Sequence, residues 1–416
     1  MVVAVAAVSI IQRVAQWRER MVCALLFLFP IFGVSLDHWF SGIYVLIFLI
    51  SLTALYRPQG GPLLSEERLL LYFIAAYFLT FILSSLLNGW DELQTRYLGV
   101  EIRYLAIIPI YLMLRNYRQS GRWLLWGCMA AAMVVAAQAY IDVYVTNLSR
   151  ATGAYSPNLI GPFAAMIAAL ILIQWQFVHN KRWLLLPLFV GALFAVALSG
   201  SRGAYLGLVV MLLLVVVMSL ASWQRYAAVT VIIIGLVAAY FTVGVVKERI
   251  DIAVNEVSAY FVNEREGKVS RITSTSTRLE MWRFSGIAFW DAPVFGMGRG
   301  NYAEVAQGYA SAGRIRADVA DSAHPHNAYV EALLSRGAVG LVAFLLMTLY
   351  PLYYFMSTRQ RATYTALLGT VHIAGLMVFS LTDASTFIKG NFISVFLLYL
   401  AVLFSWHVRS VRDKAR

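Results

Sequence analysis

Charged residues are scarce in this chain. They make up 13% of its 416 residues, whereas hydrophobic residues account for 61% and the mean hydropathy is +0.72. A soluble domain carries roughly 25% charged residues and about 45–50% apolar ones. The shortage of charge therefore excludes a soluble globular protein and indicates an integral membrane protein.

Cysteine is also rare, and several familiar active-site motifs are missing. The two cysteines, Cys23 and Cys128, both lie within long apolar runs and provide no disulfide framework. The chain contains no Walker lysine loop, dinucleotide-binding fingerprint, HExxH zinc motif or GxSxG nucleophile motif. These absences argue against nucleotide-driven transport and zinc-dependent hydrolysis, and we expect no cofactor.

Long apolar runs, separated by short polar breaks, make up most of the sequence. Each run approaches the ~20 residues that an α-helix needs to cross a bilayer, and about twelve such spans fit the chain. We therefore predict an all-α integral membrane protein, a helical bundle and not a barrel. The predicted spans are 21–36, 39–56, 69–88, 97–114, 123–145, 157–178, 183–199, 203–220, 226–245, 338–356, 362–381 and 391–408.

The distribution of lysine and arginine predicts how this bundle is oriented. If the N-terminus is cytoplasmic, most cations of the short segments fall on that side, namely Arg13, Arg18, Arg20, Arg57, Arg68, Arg115, Arg118, Arg122, Lys181, Arg182, Arg225, Arg359, Arg361, Arg409, Arg412, Lys414 and Arg416. The short loops on the other side hold only Arg96, Arg150, Arg202 and Lys389. The positive-inside rule then places both termini in the cytoplasm. The net charge of +12 reflects topology and anionic membrane lipids, not nucleic acid.

One long polar interval interrupts the apolar runs. It extends from Lys247 to His326, and the predicted orientation places it outside, in the periplasm of a bacterium. We divide the chain into residues 1–246 with nine spans, a periplasmic loop at 247–337, and residues 338–416 with three spans and a cytoplasmic tail. A Ser/Thr-rich segment, an amphipathic pattern and clustered glycines predict a large helical loop, with a capped helix whose apolar face rests on the membrane or neighbouring spans.

Two histidines lie where this loop meets the next apolar run. His324 and His326 flank Pro325, and Asn327 follows. Because proline is favoured in the first turn of a helix, we expect a helix to begin here with the His326 ring near its N-terminus. A helix N-terminus and partial burial favour a neutral imidazole, which is suited to general-base catalysis. The alternatives are a capping or core histidine and, with less support because a third ligand is missing, a metal site.

Arginines mark further candidate positions. Arg202 lies in SGSRGAYLG, between two apolar runs with almost no loop, where a permanent cation needs an anion, water or a lipid headgroup. The alternative is a snorkelling side chain in a tight turn. In the polar loop, Arg278 begins the patterned helix and is well placed to face the membrane surface, whereas Arg299 is also explained as an ordinary charge of a solvated loop.

Three charged residues lie in or near other spans. Glu101 and Arg103 belong to the run VEIRYLAIIPIYL, close to its outer end. Charges within a span are costly and often mark a site, although these two side chains could pair with each other. Asp383, in the outer turn SLTDASTFIKG, is a weaker candidate.

These features together resemble a known family. The chain combines SGSRG before one span, STRLEMW and GMGRGNY in the long loop, and HPHNAYVEALLSRGAVGLVAFL at the end of that loop. With about twelve spans, this combination is similar to the bacterial O-antigen ligases and the related O-antigen polymerases. The similarity is clearest from about residue 195 to 345 and elsewhere rests on the hydropathy pattern.

The resemblance implies a membrane glycosyltransferase of the GT-C class in the bacterial inner membrane. Such an enzyme transfers a polysaccharide from undecaprenyl pyrophosphate to a sugar hydroxyl of the lipid A-core of lipopolysaccharide, without a nucleotide or a metal. The periplasmic loop would then contain the catalytic lobe. The family's essential loop histidine corresponds to His326, and its two arginines correspond to Arg202 and Arg278. An aspartate of the last outer turn corresponds to Asp383.

Chemistry suggests a role for each candidate. The acceptor hydroxyl needs a base, and departure of the pyrophosphate lipid develops negative charge that guanidinium groups stabilise. We therefore predict His326 as the base, Arg202 and Arg278 as pyrophosphate binders, and inversion at the anomeric carbon. The candidate helpers are Arg299 and Arg103 for the pyrophosphate, and Asp383, His324 and Asn327 as supporting residues.

Three other functions stay open at this point. An O-antigen polymerase uses the same donor and shares the same sequence features. A transporter of lipid-linked glycans would place charges near the middle of the membrane, whereas these lie at its outer surface. A structural or assembly partner would not need a histidine at the junction of loop and span.

Overall fold

The computed structural model describes residues 2–55, 61–177, 180–220, 222–242, 244–265 and 272–415. Across these ranges the chain is helical, and none of the described residues lies in a β-strand, so the predicted all-α fold is confirmed. The α-helices are α1 (Val2–Ile31), α2 (Trp39–Leu55), α3 (Ser65–Leu87), α4 (Glu92–Glu101), α5 (Arg103–Leu114), α6 (Ser120–Tyr140), α7 (Pro157–Phe177), α8 (Leu185–Ser199), α9 (Arg202–Ser219), α10 (Ser222–Thr242), α11 (Gly244–Arg265), α12 (Ser274–Ala288), α13 (Tyr302–Ser311), α14 (Ala328–Ser357), α15 (Thr363–Thr382), α16 (Ser385–Ile388) and α17 (Gly390–Ala415).

Ten helices in the described ranges are long and apolar enough to cross a bilayer. Helix α2 is equally apolar but has only 17 residues. Every predicted run coincides with a helix, and the total of about twelve spans stays a prediction. Helix α1 begins at Val2, well before residue 21, where the first span is predicted to begin, and that span start stays a prediction. Residues 1–11 are themselves largely apolar, and the basic residues Arg13, Arg18 and Arg20 follow them.

The bundle centre is formed by helices α7, α15 and α17, which other helices cover on most sides. From Ile393 to Phe404, α17 is buried without interruption. Helix α10, in contrast, is exposed along its candidate span. Helix α7 begins at one face of the bundle, and α15 ends and α17 begins at the same face. Because these three helices are central, the start of α7 and the turn between α15 and α17 lie in the middle of that face. We call this the outer end, and it also bears α12 and α13.

Helix α12 begins where its cap was predicted. The Thr273 side chain accepts a hydrogen bond from the backbone N–H of Ser276, and the Ser276 hydroxyl accepts in return from the Thr273 N–H. The apolar face of α12, with Met281 and Phe284, packs in a small core with Tyr302 and other residues of the lobe. This core also includes the first turns of α14, so the helix rests on a neighbouring span and on its own lobe.

Helix α14 is broken at Gly337, where φ is +67°. The break frees backbone groups, and the segment before α13 satisfies them: the Met297 N–H donates to the Leu334 carbonyl at 2.8 Å. A side chain at Gly296 would place its Cβ 2.4 Å from the backbone N of Arg336. The predicted turns at the clustered glycines therefore include a close backbone contact, at Gly296. The predicted span start near residue 338 corresponds to the kink of α14 at Gly337.

Candidate active site

His326 lies just before helix α14. Its backbone adopts the left-handed conformation, with φ of +52°. Asn327 is the N-cap, because its side-chain oxygen accepts hydrogen bonds from two backbone N–H groups of the first turn, at 2.9 and 3.1 Å. The expected position of Pro325 in that first turn was wrong, since the cap at Asn327 delays the start of the helix to Ala328. The ring nevertheless lies at a helix N-terminus, as the sequence indicated.

Asp383 is the carboxylate that faces this ring. Its Oδ2 lies 3.9 Å from Nδ1 of His326 and also accepts a hydrogen bond from the Asn158 amide at 3.0 Å. Its Oδ1 accepts from the backbone N–H of Ser385 at 2.7 Å. Burial alone would raise the pKa of Asp383, but the nearby His326 ring and the hydrogen bond from Ser385 outweigh it and hold that pKa below its usual range. An ionised carboxylate therefore stands beside the imidazole.

The described neighbours of His324 and His326 do not form a metal site with these two histidines. The His324 ring centroid lies 4.4 Å from that of His326, and His324 Nδ1 accepts a hydrogen bond from the His326 backbone N–H at 3.2 Å. Burial, reinforced by His326, lowers the pKa of His324 to about 4. The described residues contain no group of three or more His, Cys, Asp or Glu side chains arranged around a common point. His324 thus acts as a neutral acceptor that supports the loop.

Arg202 reaches from the start of α9 towards α12. Its guanidinium donates to the Thr275 hydroxyl at 2.8 Å and lies 3.7 Å from the Glu256 carboxylate. Thr275 in turn donates a hydrogen bond to Glu256. The Arg202 side chain keeps 31% of its surface exposed, so its charge is only partly balanced and is accessible at the outer end.

Arg278 lies about one turn further along α12 than Thr275. Burial lowers the pKa of Arg278; the nearby Arg202 adds to this effect, while the carboxylates of Asp383 and Glu256 oppose it. Its guanidinium donates no hydrogen bond to any described residue. Arg278 is therefore a half-buried arginine close enough to Asp383 and Arg202 to interact electrostatically with both, and its donors are available. We call Arg202, Arg278, His326 and Asp383 the Asp383 cluster.

Arg299 belongs to a different group, which we call the Glu101 cluster. Its guanidinium pairs with the Glu101 carboxylate, donates to the Ile388 carbonyl and stacks over the Tyr97 ring at 4.4 Å. Arg336 donates to the same carboxylate oxygen at 2.5 Å. All three ionic side chains are at most 3% exposed. The predicted role of Arg299 in binding pyrophosphate stays untested, and its donors are already occupied by protein groups.

Arg103 does not pair with Glu101, so the alternative of an ion pair between these two residues was wrong. The Glu101 carboxylate points to Arg299 and Arg336, and residues two apart on a helix do not face each other. Arg103 instead donates to the Gly99 carbonyl at 2.8 Å and to a serine hydroxyl of α2 at 3.2 Å. It lies at the outer end, but none of its described contacts is with the Asp383 cluster.

Residues 187–345 match the family model described as O-antigen ligase. This segment is similar to the O-antigen ligase family, and we refer to it below as the O-antigen ligase domain. A relative in Haemophilus influenzae, described as an uncharacterized protein, is 26% identical over 343 residues, which cover 80% of this chain and 84% of the relative. With ten candidate spans in the described ranges, the chain is a multi-pass membrane protein.

The O-antigen ligase domain does not contain the whole cluster. Arg202, Arg278 and His326 lie inside the matched segment, whereas Asp383 lies beyond its end. The carboxylate comes from the turn between α15 and α17, which follows the domain in the chain and meets it only through tertiary packing. Asp383 was the weakest candidate from sequence, and the structure places it at the centre.

Sequence reasoning missed three polar partners of these residues. Asn158 contacts Asp383, and Thr275 and Glu256 contact Arg202. Asn158 follows Pro157 at the outer start of a span, a signal of a helix N-terminus that was available. Nothing local distinguishes Glu256 from the other charges of a polar segment.

Proposed function

We propose that this protein is an O-antigen ligase that transfers a polysaccharide from undecaprenyl pyrophosphate to a sugar hydroxyl of lipid A-core. The observation that carries the proposal is the Asp383 cluster: a histidine 3.9 Å from a carboxylate, beside two incompletely paired arginines, largely within the matched domain. A base and an anion-binding group are the two elements that glycosyl transfer from a pyrophosphate donor requires.

The donor pyrophosphate binds to Arg278 and Arg202. Arg278 has its donors available, and Arg202 is held only by Thr275 and, more loosely, by Glu256. A guanidinium binds phosphate oxygens through two parallel N–H groups and remains charged at any physiological pH. As the glycosidic bond breaks, negative charge grows on the pyrophosphate, and both arginines stabilise it.

His326 is the general base. Its neutral ring takes the proton from the acceptor hydroxyl while the hydroxyl oxygen attacks the anomeric carbon. The new C–O bond forms as the bond to the pyrophosphate oxygen breaks, so that undecaprenyl pyrophosphate leaves and the anomeric configuration inverts. Asp383, beside Nδ1, stabilises the imidazolium that results and leaves Nε2 to face the acceptor. Pyrophosphate is a good leaving group, so neither a metal nor an acid is assigned.

The reaction takes place at the periplasmic face of the bacterial inner membrane, with both termini in the cytoplasm and a GT-C-type arrangement of spans. The distribution of cations along the sequence supports this orientation. The Asp383 cluster lies at the end of the bundle that bears the lobe, opposite the cation-rich loops. A carrier lipid can remain in the membrane there while its polymer extends into water.

Analysis of lipopolysaccharide from a deletion strain tests this function. Loss of a ligase leaves bare core, with polymer retained on the carrier lipid, whereas loss of a polymerase leaves core bearing one repeat. Expression of the His326→Ala variant in that strain should give the bare-core pattern at wild-type protein levels. Normal ligation by this variant would exclude His326 as the base.

Transfer by the purified protein separates an enzyme from a transporter. In detergent there is no second compartment, so only an enzyme joins the donor glycan to lipid A-core. We expect transfer to continue in the presence of a chelator. Loss of transfer with the chelator and recovery on addition of a divalent metal would contradict the metal-free mechanism.

A further inference from the structure

Three helix ends meet closely beside the Asp383 cluster. The start of α7 approaches the start of α9 at Gly161, where an added Cβ would lie 3.0 Å from the Ala204 Cβ and would also meet the Ser199 hydroxyl at the end of α8. The start of α9 approaches the end of α15 at Gly203, where an added Cβ would lie 2.1 Å from the Thr382 hydroxyl. These two glycines allow polar groups of the three helices to come within hydrogen-bond distance.

Asn158, the second residue of α7, connects these helix ends. Its amide nitrogen donates to Oδ2 of Asp383 at 3.0 Å, and its amide oxygen accepts from the Ser201 hydroxyl at 3.4 Å. Ser201 is the N-cap of α9, and Arg202 is the first residue of that helix. One side chain therefore links the carboxylate that faces His326 to the helix that presents Arg202.

The carboxamide is chemically suited to this position. It donates at one end to a carboxylate and accepts at the other from a hydroxyl, which a carboxylate or a hydrocarbon of similar size cannot do. Donation to Oδ2 favours the ionised form of Asp383 and holds this oxygen towards Nδ1 of His326. Acceptance from Ser201 fixes which way the amide points.

We propose that Asn158 is a positioning residue that couples the base side of the active site to its phosphate-binding side. The inference rests on the proposed function and extends it to a residue outside the O-antigen ligase domain. Through Asn158, the orientation of Asp383 depends on the same helix start that carries Arg202. Correct placement of the donor pyrophosphate and of the base is thereby secured by one hydrogen-bonded bridge.

Two variants and one matched control test this inference in transfer assays with purified protein, undecaprenyl pyrophosphate-linked glycan and lipid A-core. Asn158→Leu removes both hydrogen bonds at similar volume, and we expect kcat to fall about tenfold, the effect of about 1.4 kcal/mol on the barrier. Asn391→Leu is the control. Asn391 is likewise the second residue of a helix, and its amide oxygen accepts from a serine hydroxyl, that of Ser41. Activity of this control should stay within about twofold of wild type.

Asn158→Asp separates positioning from a merely structural role. It retains size and polarity but replaces the donor with a second carboxylate beside Asp383. The added negative charge favours protonated His326, so the pH at half-maximal kcat/KM on the acid side should rise by about half a unit to one unit. The other titratable groups around His326 and Asp383 are His324, Arg278 and Lys389, and Arg202 and Glu256 lie beyond them. The substitution changes none of these groups.

The outcomes are distinct. A rise of the acid midpoint in Asn158→Asp, together with reduced kcat in Asn158→Leu and an active control, supports the coupling. Loss of activity with an unshifted midpoint would make Asn158 a structural link only and overturn the inference, as would full activity of both variants. Absence of transfer by the wild-type protein would instead overturn the proposed function itself, and the inference with it.

Discussion

The Glu101 cluster and the Asp383 cluster lie at the same outer end of the bundle and each combine two arginines with a carboxylate, yet their charges are balanced differently. In the Glu101 cluster, two arginines share one carboxylate, and Arg299 and Arg336 are only 3% and 2% exposed. In the Asp383 cluster, Arg202 is 31% exposed and Arg278 donates no hydrogen bond to a described residue.

Exposure and pairing, not residue type, distinguish the arginines of the two clusters, and on this ground we propose that Arg202 and Arg278 bind the donor. A buried ion cluster whose hydrogen bonds are made by the protein links segments of the chain, because opening it would leave charges without partners. An incompletely paired arginine at a surface can exchange water for a phosphate at little cost. The first arrangement holds the lobe to the bundle, and the second leaves arginines available to the proposed donor pyrophosphate.

The largest effect is expected when the buried cluster is broken. Glu101→Gln leaves Arg299 and Arg336 with no carboxylate at their shared contact, which should cost about 3–5 kcal/mol of unfolding free energy. Thermal unfolding of the purified protein in detergent measures the loss. Glu256→Gln is the matched control: its arginine is partly exposed, so we expect less than about 1 kcal/mol. A small effect of Glu101→Gln would indicate that Glu331, buried beside both arginines, balances them.

Lysine substitutions should separate the two clusters by activity. Arg202→Lys and Arg278→Lys retain the charge but lose the paired N–H groups, so transfer should fall about tenfold to a hundredfold. Arg299→Lys should lower thermal stability while the KM for the donor remains within about twofold of wild type. Steady-state kinetics with varied donor concentration provide the comparison. A donor KM raised equally in all three variants would restore Arg299 as a pyrophosphate binder.

His324, beside the Asp383 cluster, should also make stability depend on pH. Folding lowers the pKa of His324 from 6.5 to about 4, so the unfolded chain binds a proton that the folded chain does not between these values. Stability therefore falls as pH decreases through this window, by about 2 kcal/mol between pH 7 and pH 5 at 1.36 kcal/mol per pKa unit. Unfolding temperatures at several pH values measure it. His324→Gln should flatten the profile, and an unchanged slope would contradict this assignment.

The smallest effect concerns the weak partner of Arg202. Glu256 lies 3.7 Å from the guanidinium and would compete with a bound phosphate. Glu256→Gln should therefore lower the donor KM by about twofold to fivefold, the range of a partly exposed ion pair. A higher KM in this variant would show that Glu256 orients Arg202 for binding.

Much of the fold could be predicted because its signals are local. Apolar runs of span length determine where helices lie, and the Ser/Thr-rich segment before α12 determines its cap at Thr273. The motifs also identified His326, Arg202 and Arg278, which the structure brings to one end of the bundle. The predicted helix boundaries were wrong where contacts with other segments decide them. Helix α14 is an example, because its cap depends on Asn327 and its kink on Gly337.

The pairing of charges was decided only by the tertiary structure. Glu101 and Arg103 are close in sequence, but Glu101 binds Arg299, 198 residues away. Asp383 and Asn158 are 225 residues apart and meet because α7 and α15 are both central helices of the bundle. Hydropathy and local motifs determine helices and candidate residues, since both depend on a few neighbours along the chain. Which arginine is neutralised and which remains available depends on how distant helices pack, since a charge is balanced by whatever lies next to it in space.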